Sequence, residues 1–144
     1  MVEQDTIKLL RECDAGIRMG LDSIRDVLDH VRDKELKEYL IDSLREHKKL
    51  DEALQEQLDD YGDEGKAPNP VAKSMSWMKT AVKLQWNESD ATIAELMTDG
   101  CHMGVKSLSR YLNQYAAADE TSKNICKNLI MIEDRLGSQM RAYL

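Results

Sequence analysis

Apolar residues recur at intervals of three and four along most of the chain, the period of an amphipathic helix rather than of a strand. Between residues 5 and 31 they fall at Ile7, Leu10, Ile17, Leu21, Ile24, Leu28 and Val31, with charged residues elsewhere. Asp33 is placed to cap a second helix, whose stripe reads Leu36, Leu40, Leu44, His47, Leu50, Leu54 and Leu58. Each of these helices is predicted to run for roughly 27 residues, or about 40 Å at 1.5 Å per residue. The segment from Tyr61 to Asn69, with its Gly, Asp and Pro, breaks the pattern. Asn69-Pro70 sets an N-cap ahead of a proline at the first helical position. It predicts a shorter helix from Pro70 to about Gln85, through Met75, Met78 and Val82. Asn87 or Ser89 opens another long helix, with Ile93, Met97, Gly100, Gly104, Leu108, Tyr111 and Tyr115 on one side. Asp119 caps the last, whose stripe is Ile125, Leu129, Ile132, Leu136 and Met140.

A shift of 84 positions lays Gly16, Met19, Gly20, Ser23 and Leu28 on identical residues, five identities within positions 14–28. Glycine inside a helix costs about 1 kcal/mol relative to alanine. The pairs Gly16/Gly100 and Gly20/Gly104 therefore need a reason, and close approach of another backbone is the simplest. A duplicated helical hairpin accounts for the matches better than shared composition does. The connector, residues 61–87, is far longer than the two to eight residues that usually join neighbouring helices. It can run the length of a ~40 Å bundle and start the second hairpin at the far end. The expectation is one all-α domain over residues 1–144: hairpin 5–60, connector 61–87 with a short helix, hairpin 88–143.

Composition narrows the picture. The chain has 144 residues, the size of one domain, and only 7 Gly and 2 Pro, which suits long helices better than many turns. Phe is absent, so the 8 Met join Leu and Ile in the interior. A net charge of −7 argues against nucleic acid as a partner. No stretch approaches the ~20 apolar residues of a membrane span, and the start, Met1-Val2-Glu3-Gln4-Asp5, does not read as a signal peptide. Cys13, Cys101 and Cys126 are odd in number and widely spaced, which suits reduced thiols in a cytoplasm. Residues 1–66 carry 19 acids and 11 bases, while 67–144 carry 8 and 9. A solvated acidic face explains this imbalance without a basic partner.

The two hairpins with one long crossover resemble the ferritin-like superfamily over essentially the whole chain. The segments Trp77-Met78-Lys79-Thr80-Ala81-Val82 and Asp90-Ala91-Thr92-Ile93-Ala94-Glu95, with the Gly100 region, look like an uncharacterised bacterial branch of it. That branch has a Trp-bearing helix between the hairpins and brings no established activity with it. The superfamily's di-iron chemistry needs one Glu from each of two helices and Glu-x-x-His from each of the other two. No Glu-x-x-His occurs here: Val27, Leu44 and Asp99 stand three residues before His30, His47 and His102. The resemblance puts the single-Glu positions at about Ile17 and Cys101, and the paired positions near Ser43/Glu46 and Asn128/Met131. Of these only Glu46 is a familiar ligand of hard metals. A di-iron oxidase or an iron store is not expected.

Other candidates are weaker than their structural explanations. Asp99, Cys101 and His102 cannot all face one metal from one helix, so two solvated groups and a buried thiol explain them better. His47 stands in the apolar stripe, but Glu46 beside it points about 100° away. A core histidine hydrogen-bonded across the bundle fits better than a ligand, and the offset that relates these two helices pairs it with Ile132. The Met residues fill gaps rather than build a haem or soft-metal site. No Ser-His-Asp set, phosphate loop or CxxC is present. The expected protein is a non-catalytic ferritin-like bundle, metal-free and cytoplasmic, acting by binding a protein or ligand as a homodimer. The alternative is a metal-binding or redox protein, taking iron or another transition metal at a non-standard site built from Glu46, His47 and Cys101.

Overall fold

The computed structural model describes residues 2–68 and 88–144. Every regular element among them is helical: α1 (Val2–Leu28), α2 (Lys34–Asp60), α3 (Asp90–Gln114) and α4 (Glu120–Met140), with a 3₁₀ turn at Arg141–Tyr143. The helix expected from Pro70 to Gln85, with Trp77 and Trp86, falls outside the described residues.

Side-chain caps set three of the four helix starts among the described residues, each satisfying an amide that the first turn leaves without a partner. Asp33 Oδ1 accepts from the Leu36 amide at 2.8 Å, Ser89 Oγ from Thr92 at 3.2 Å and Asp119 Oδ1 from Ser122 at 2.8 Å. Ser89, not Asn87, therefore begins α3. The first helix stops at Leu28, short of Val31. The amides of Arg32 and Asp33 donate instead to the two carboxylate oxygens of Asp90, both at 2.9 Å, which draws the chain out of the helix.

Helix α1 packs against α2 and α3, and α4 packs against the same two; α1 and α4 also meet across the diagonal. Contacts fix the directions. Thr6 meets Asp119 and Gly16 meets Leu108, so α1 and α3 are antiparallel. His47 meets Glu133 and Tyr61 meets Asp119, so α2 and α4 are antiparallel. Gly16 lies on Leu129 and Gly20 near Glu133, so the diagonal pair α1 and α4 run parallel. Each helix is thus antiparallel to both of its neighbours. The connector leaves α2 beside Arg11 and Asp14 and reaches α3 beside His30 and Arg32, at the opposite end of the bundle.

The core falls into two clusters. One gathers Leu9, Leu10, Cys13, Ile17, Leu54, Leu58, Cys126 and Leu129. The other gathers Ile24, Leu36, Leu40, Ile93, Met97, Cys101, Leu136 and Met140. Each fully buried leucine stabilises the fold by about 2 kcal/mol. Leu44, expected in the interior, is only half-buried; it touches both clusters while Ser43 takes the inward position. Among the described residues, no helix is long and apolar enough to cross a membrane.

Candidate functional site

Polar groups interrupt the apolar interior between the two clusters. His47, in the middle of α2, has no exposed surface, and Glu133 on α4 keeps 8% of its own. Glycines make the room for them. A Cβ at Gly20 on α1 would lie 2.7 Å from His47 Nε2 and 3.3 Å from Glu133 Oε1. One at Gly104 on α3 would touch Glu133 Oε2 at 3.4 Å. A Cβ at Gly137 would lie 3.3 Å from the Cβ of Cys101, whose thiol borders Glu133. The expectation that Gly20 and Gly104 admit a backbone is therefore corrected: they admit the side chains of an ion pair. Gly16 does pack closely, against Leu129 and Leu108, but Gly100 meets nothing within 4 Å. The two matched glycine pairs are not equivalent in their surroundings.

The hydrogen bonds of His47 locate its protons. Nδ1 lies 2.7 Å from the backbone carbonyl of Ser43, and a carbonyl only accepts, so Nδ1 carries a hydrogen. Nε2 lies 3.0 Å from Glu133 Oε1, and one further proton must sit between those two atoms. Burial opposes charge on the ring, but the bond and the attraction from Glu133, helped by the Ser43 carbonyl and the Glu46 charge, outweigh it. The His47 pKa is raised above its ordinary value. The pair shares that proton and is neutral as a unit.

Ser43, His47 and Glu133 stand in the order of a nucleophile, an imidazole and an acid. Ser43 Oγ is 3.4 Å from Nδ1 and borders a groove of about 190 Å³ between α2 and α4, with Tyr39, Glu46 and Arg135 on its rim. The relay lacks its base, because the Nδ1 lone pair is occupied by the hydrogen given to the Ser43 carbonyl. The groove is also smaller than the roughly 300–1,000 Å³ of small-molecule sites.

The structure separates the candidate ligands. Glu46 turns outward, and both of its oxygens accept from Arg135 Nη1 at 3.0 Å. Burial, reinforced by Glu133, pushes the Cys101 thiol far above its usual pKa, so it is a protonated thiol. Ile17 lies in one core cluster and Cys101 in the other. Asn128 and Met131 are exposed, as are Asp99 and His102. The positions implied by the resemblance do not fit a pair of metal ions. Among the described residues, no three His, Cys, Asp or Glu side chains form a group able to hold one.

Asp14 is a second buried acid that the sequence reading missed, at 0% exposure on α1. It accepts from Gln55 Nε2 at 3.0 Å and the Lys66 amide at 2.9 Å, and pairs with Arg18 at 3.1 Å. Arg11 grips Asp63, and Lys66 Nζ reaches Glu12 at 2.6 Å. These contacts fasten the start of the connector to α1.

No family model matches the chain, and no curated protein or solved structure matches it.

Proposed function

We propose that this protein is a non-catalytic bundle of ferritin-like arrangement that acts by binding, as a homodimer, and that its centre takes no iron or manganese. The observation behind this reading is the His47–Glu133 pair. Both ring nitrogens are engaged, one on the Ser43 carbonyl and one on Glu133, so the imidazole offers no lone pair to a metal or a substrate proton. Two of the surrounding glycines support a built feature rather than an emptied site: Gly20 lies against His47 and Glu133, and Gly104 against Glu133. The ferritin-like reading draws support from the antiparallel neighbours and the connector that joins opposite ends. Elemental analysis of protein purified without chelator tests the chemistry, with no stoichiometric iron or manganese expected. About two irons per chain would overturn it. Light scattering over a concentration series tests the assembly, and a monomer at every concentration would remove the dimer from the proposal.

A further inference from the structure

We propose that the two hairpins are latched by a single proton, held between Nε2 of His47 on α2 and Oε1 of Glu133 on α4, and that its loss loosens the seam between them. The geometry carries the inference. Nδ1 is already a donor to the Ser43 carbonyl, so rotating the tautomer cannot supply the hydrogen that Nε2 and Oε1 share. When that proton leaves, a lone pair on Nε2 faces a carboxylate oxygen at 3.0 Å in a site with almost no water. The ring cannot swing away, because Gly20 lies against one edge and the Ser43 carbonyl holds the other. The relief left is for Glu133, 11% of whose side chain reaches the surface, to turn outward and part from α2.

The groups around the ring do not replace the proton. Helix α1 presents to the ring Gly20, which carries no side chain. Helix α2 offers Ser43 and the negative charge of Glu46, itself tied to Arg135 of α4. Helix α3 offers Cys101, whose thiol borders Glu133 and remains protonated. Helix α4 offers Glu133. Among the described residues, the cation Arg135 is held by Glu46 rather than by the carboxylate at the centre.

The direction of the pH effect follows. A histidine whose folded pKa is raised contributes its stability in full below its unfolded value, near 6.5, and loses it as pH climbs through the folded value. The latch is closed in mild acid and released in alkali. Its place on the seam between hairpins gives the bundle a coupling between pH and its opening at the groove beside Ser43.

Glu133→Gln separates this device from ordinary packing. The Gln amide can donate a fixed N–H to Nε2 while Nδ1 keeps its bond to Ser43, so the contact survives without a titrating proton. Melting of wild type and E133Q is followed from pH 6 to pH 9.5. The expected result is that the wild-type Tm falls over this range by about 4 °C or more, whereas that of the variant, whose ring is neutral when folded, rises to about pH 7 and is level above it. Nitrogen NMR of the His47 ring should show both nitrogens protonated in wild type at pH 6, and only Nδ1 protonated in E133Q. Parallel pH profiles for the two proteins would overturn the latch. So would a wild-type ring with an unprotonated Nε2 at pH 6. If E133Q does not fold, the wild-type NMR titration decides alone, because a ring that keeps one hydrogen throughout has no proton to lose.

Discussion

Gly20 lies so close beneath His47 that a β-carbon on it would sit 2.7 Å from Nε2 and 2.8 Å from Cδ2. The ring cannot yield cheaply, being buried and held at both nitrogens. Gly20→Ala should gain ~1 kcal/mol of helix propensity and lose more to overpacking, for a net destabilisation of about 1–2 kcal/mol. Gly100→Ala adds a side chain where nothing lies within 4 Å, so it should stabilise by about 0.5–1 kcal/mol. Urea denaturation of the two variants reads both signs. A neutral Gly20→Ala would mean that the ring moves freely.

Asp14 joins α1 to α2 and to the start of the connector through Gln55 and the Lys66 amide. Gly65, at φ +81°, passes over it where a β-carbon would overlap the carboxylate. Asp14→Ala should cost about 1–2 kcal/mol, since it leaves the part-buried Lys66 amide without its acceptor and Gln55 with Asp51 alone. Gly65→Ala should cost a comparable amount through both backbone and overlap. Proteolysis that cuts near residues 62–68 faster in Asp14→Ala would place the damage at this strap. An unchanged cleavage pattern and stability would show that the other contacts, Arg11–Asp63 and Lys66–Glu12, suffice.

The helices were legible because their signals are local and redundant: the apolar period, Asp33, Ser89 and Asp119 as caps, and a connector too long for a turn. His47 was also legible as a core histidine, because it completes an apolar stripe. Its partner was not. The run from Leu129 to Leu136 can pass through residue 132 or 133, and hydrophobicity favours Ile132, which is half-buried while Glu133 faces inward. Asp14 escaped for the same reason, although it fills the gap of seven between Leu10 and Ile17. Both acids occupy inward positions whose spacing was visible, but their burial depends on partners from other helices that periodicity does not reveal. Gly20, Gly104 and Gly137, set around one level of the bundle, were the signal that something bulky lies there.

Acid should weaken the fold at the end where α2 stops and the last helix starts. Burial would raise the Asp119 pKa, but the Ser122 amide and side chain and the Tyr61 hydroxyl outweigh it and hold it low. Asp63 is held low chiefly by its hydrogen bond from Arg11. A carboxylate with a depressed folded pKa contributes fully above its unfolded value, about 3.9, and loses that contribution as pH falls through the folded one. The wild-type Tm should therefore drop below about pH 4. Asp119→Asn keeps an effective N-cap without a titrating group, so its drop should be shallower. Equal acid slopes for the two proteins would count against this role for Asp119.

All three cysteines are buried and free. Cys13 and Cys126 face each other, with the Cys13 pKa raised first by the hydrogen bond to Cys126 and then by burial, while Cys101 is raised foremost by burial. Cys13 and Cys101, held protonated, are poor nucleophiles. The Cys126 pKa is lowered by the same hydrogen bond from Cys13, but its sulfur is buried and packed against the Leu108 carbonyl, so burial rather than protonation is what shields it. The native protein should leave a chromogenic disulfide reagent unreacted at pH 7.5 over minutes, and the protein in urea should react at all three positions. A single fast thiol in the native state would show that one core cluster opens readily, and peptide mapping of the labelled residue would say which.

The His47–Glu133 pair also makes a prediction about unpaired charge. Removing one partner leaves the other buried alone, which typically costs about 3–5 kcal/mol, whereas replacing both by apolar groups can be neutral or stabilising. His47→Leu abolishes both ring hydrogen bonds and strands Glu133 between Gly20 and Gly104. Because 11% of the Glu133 side chain still reaches the surface, water relieves part of the penalty, and a loss of about 2–4 kcal/mol is expected. Adding Glu133→Leu removes the stranded carboxylate and should recover most of that loss, since the glycines leave space for a branched side chain. Chemical denaturation of both single variants and the double completes the cycle. A double variant less stable than either single would mean that the pair fixes how α2 and α4 fit together and is not replaceable by packing alone.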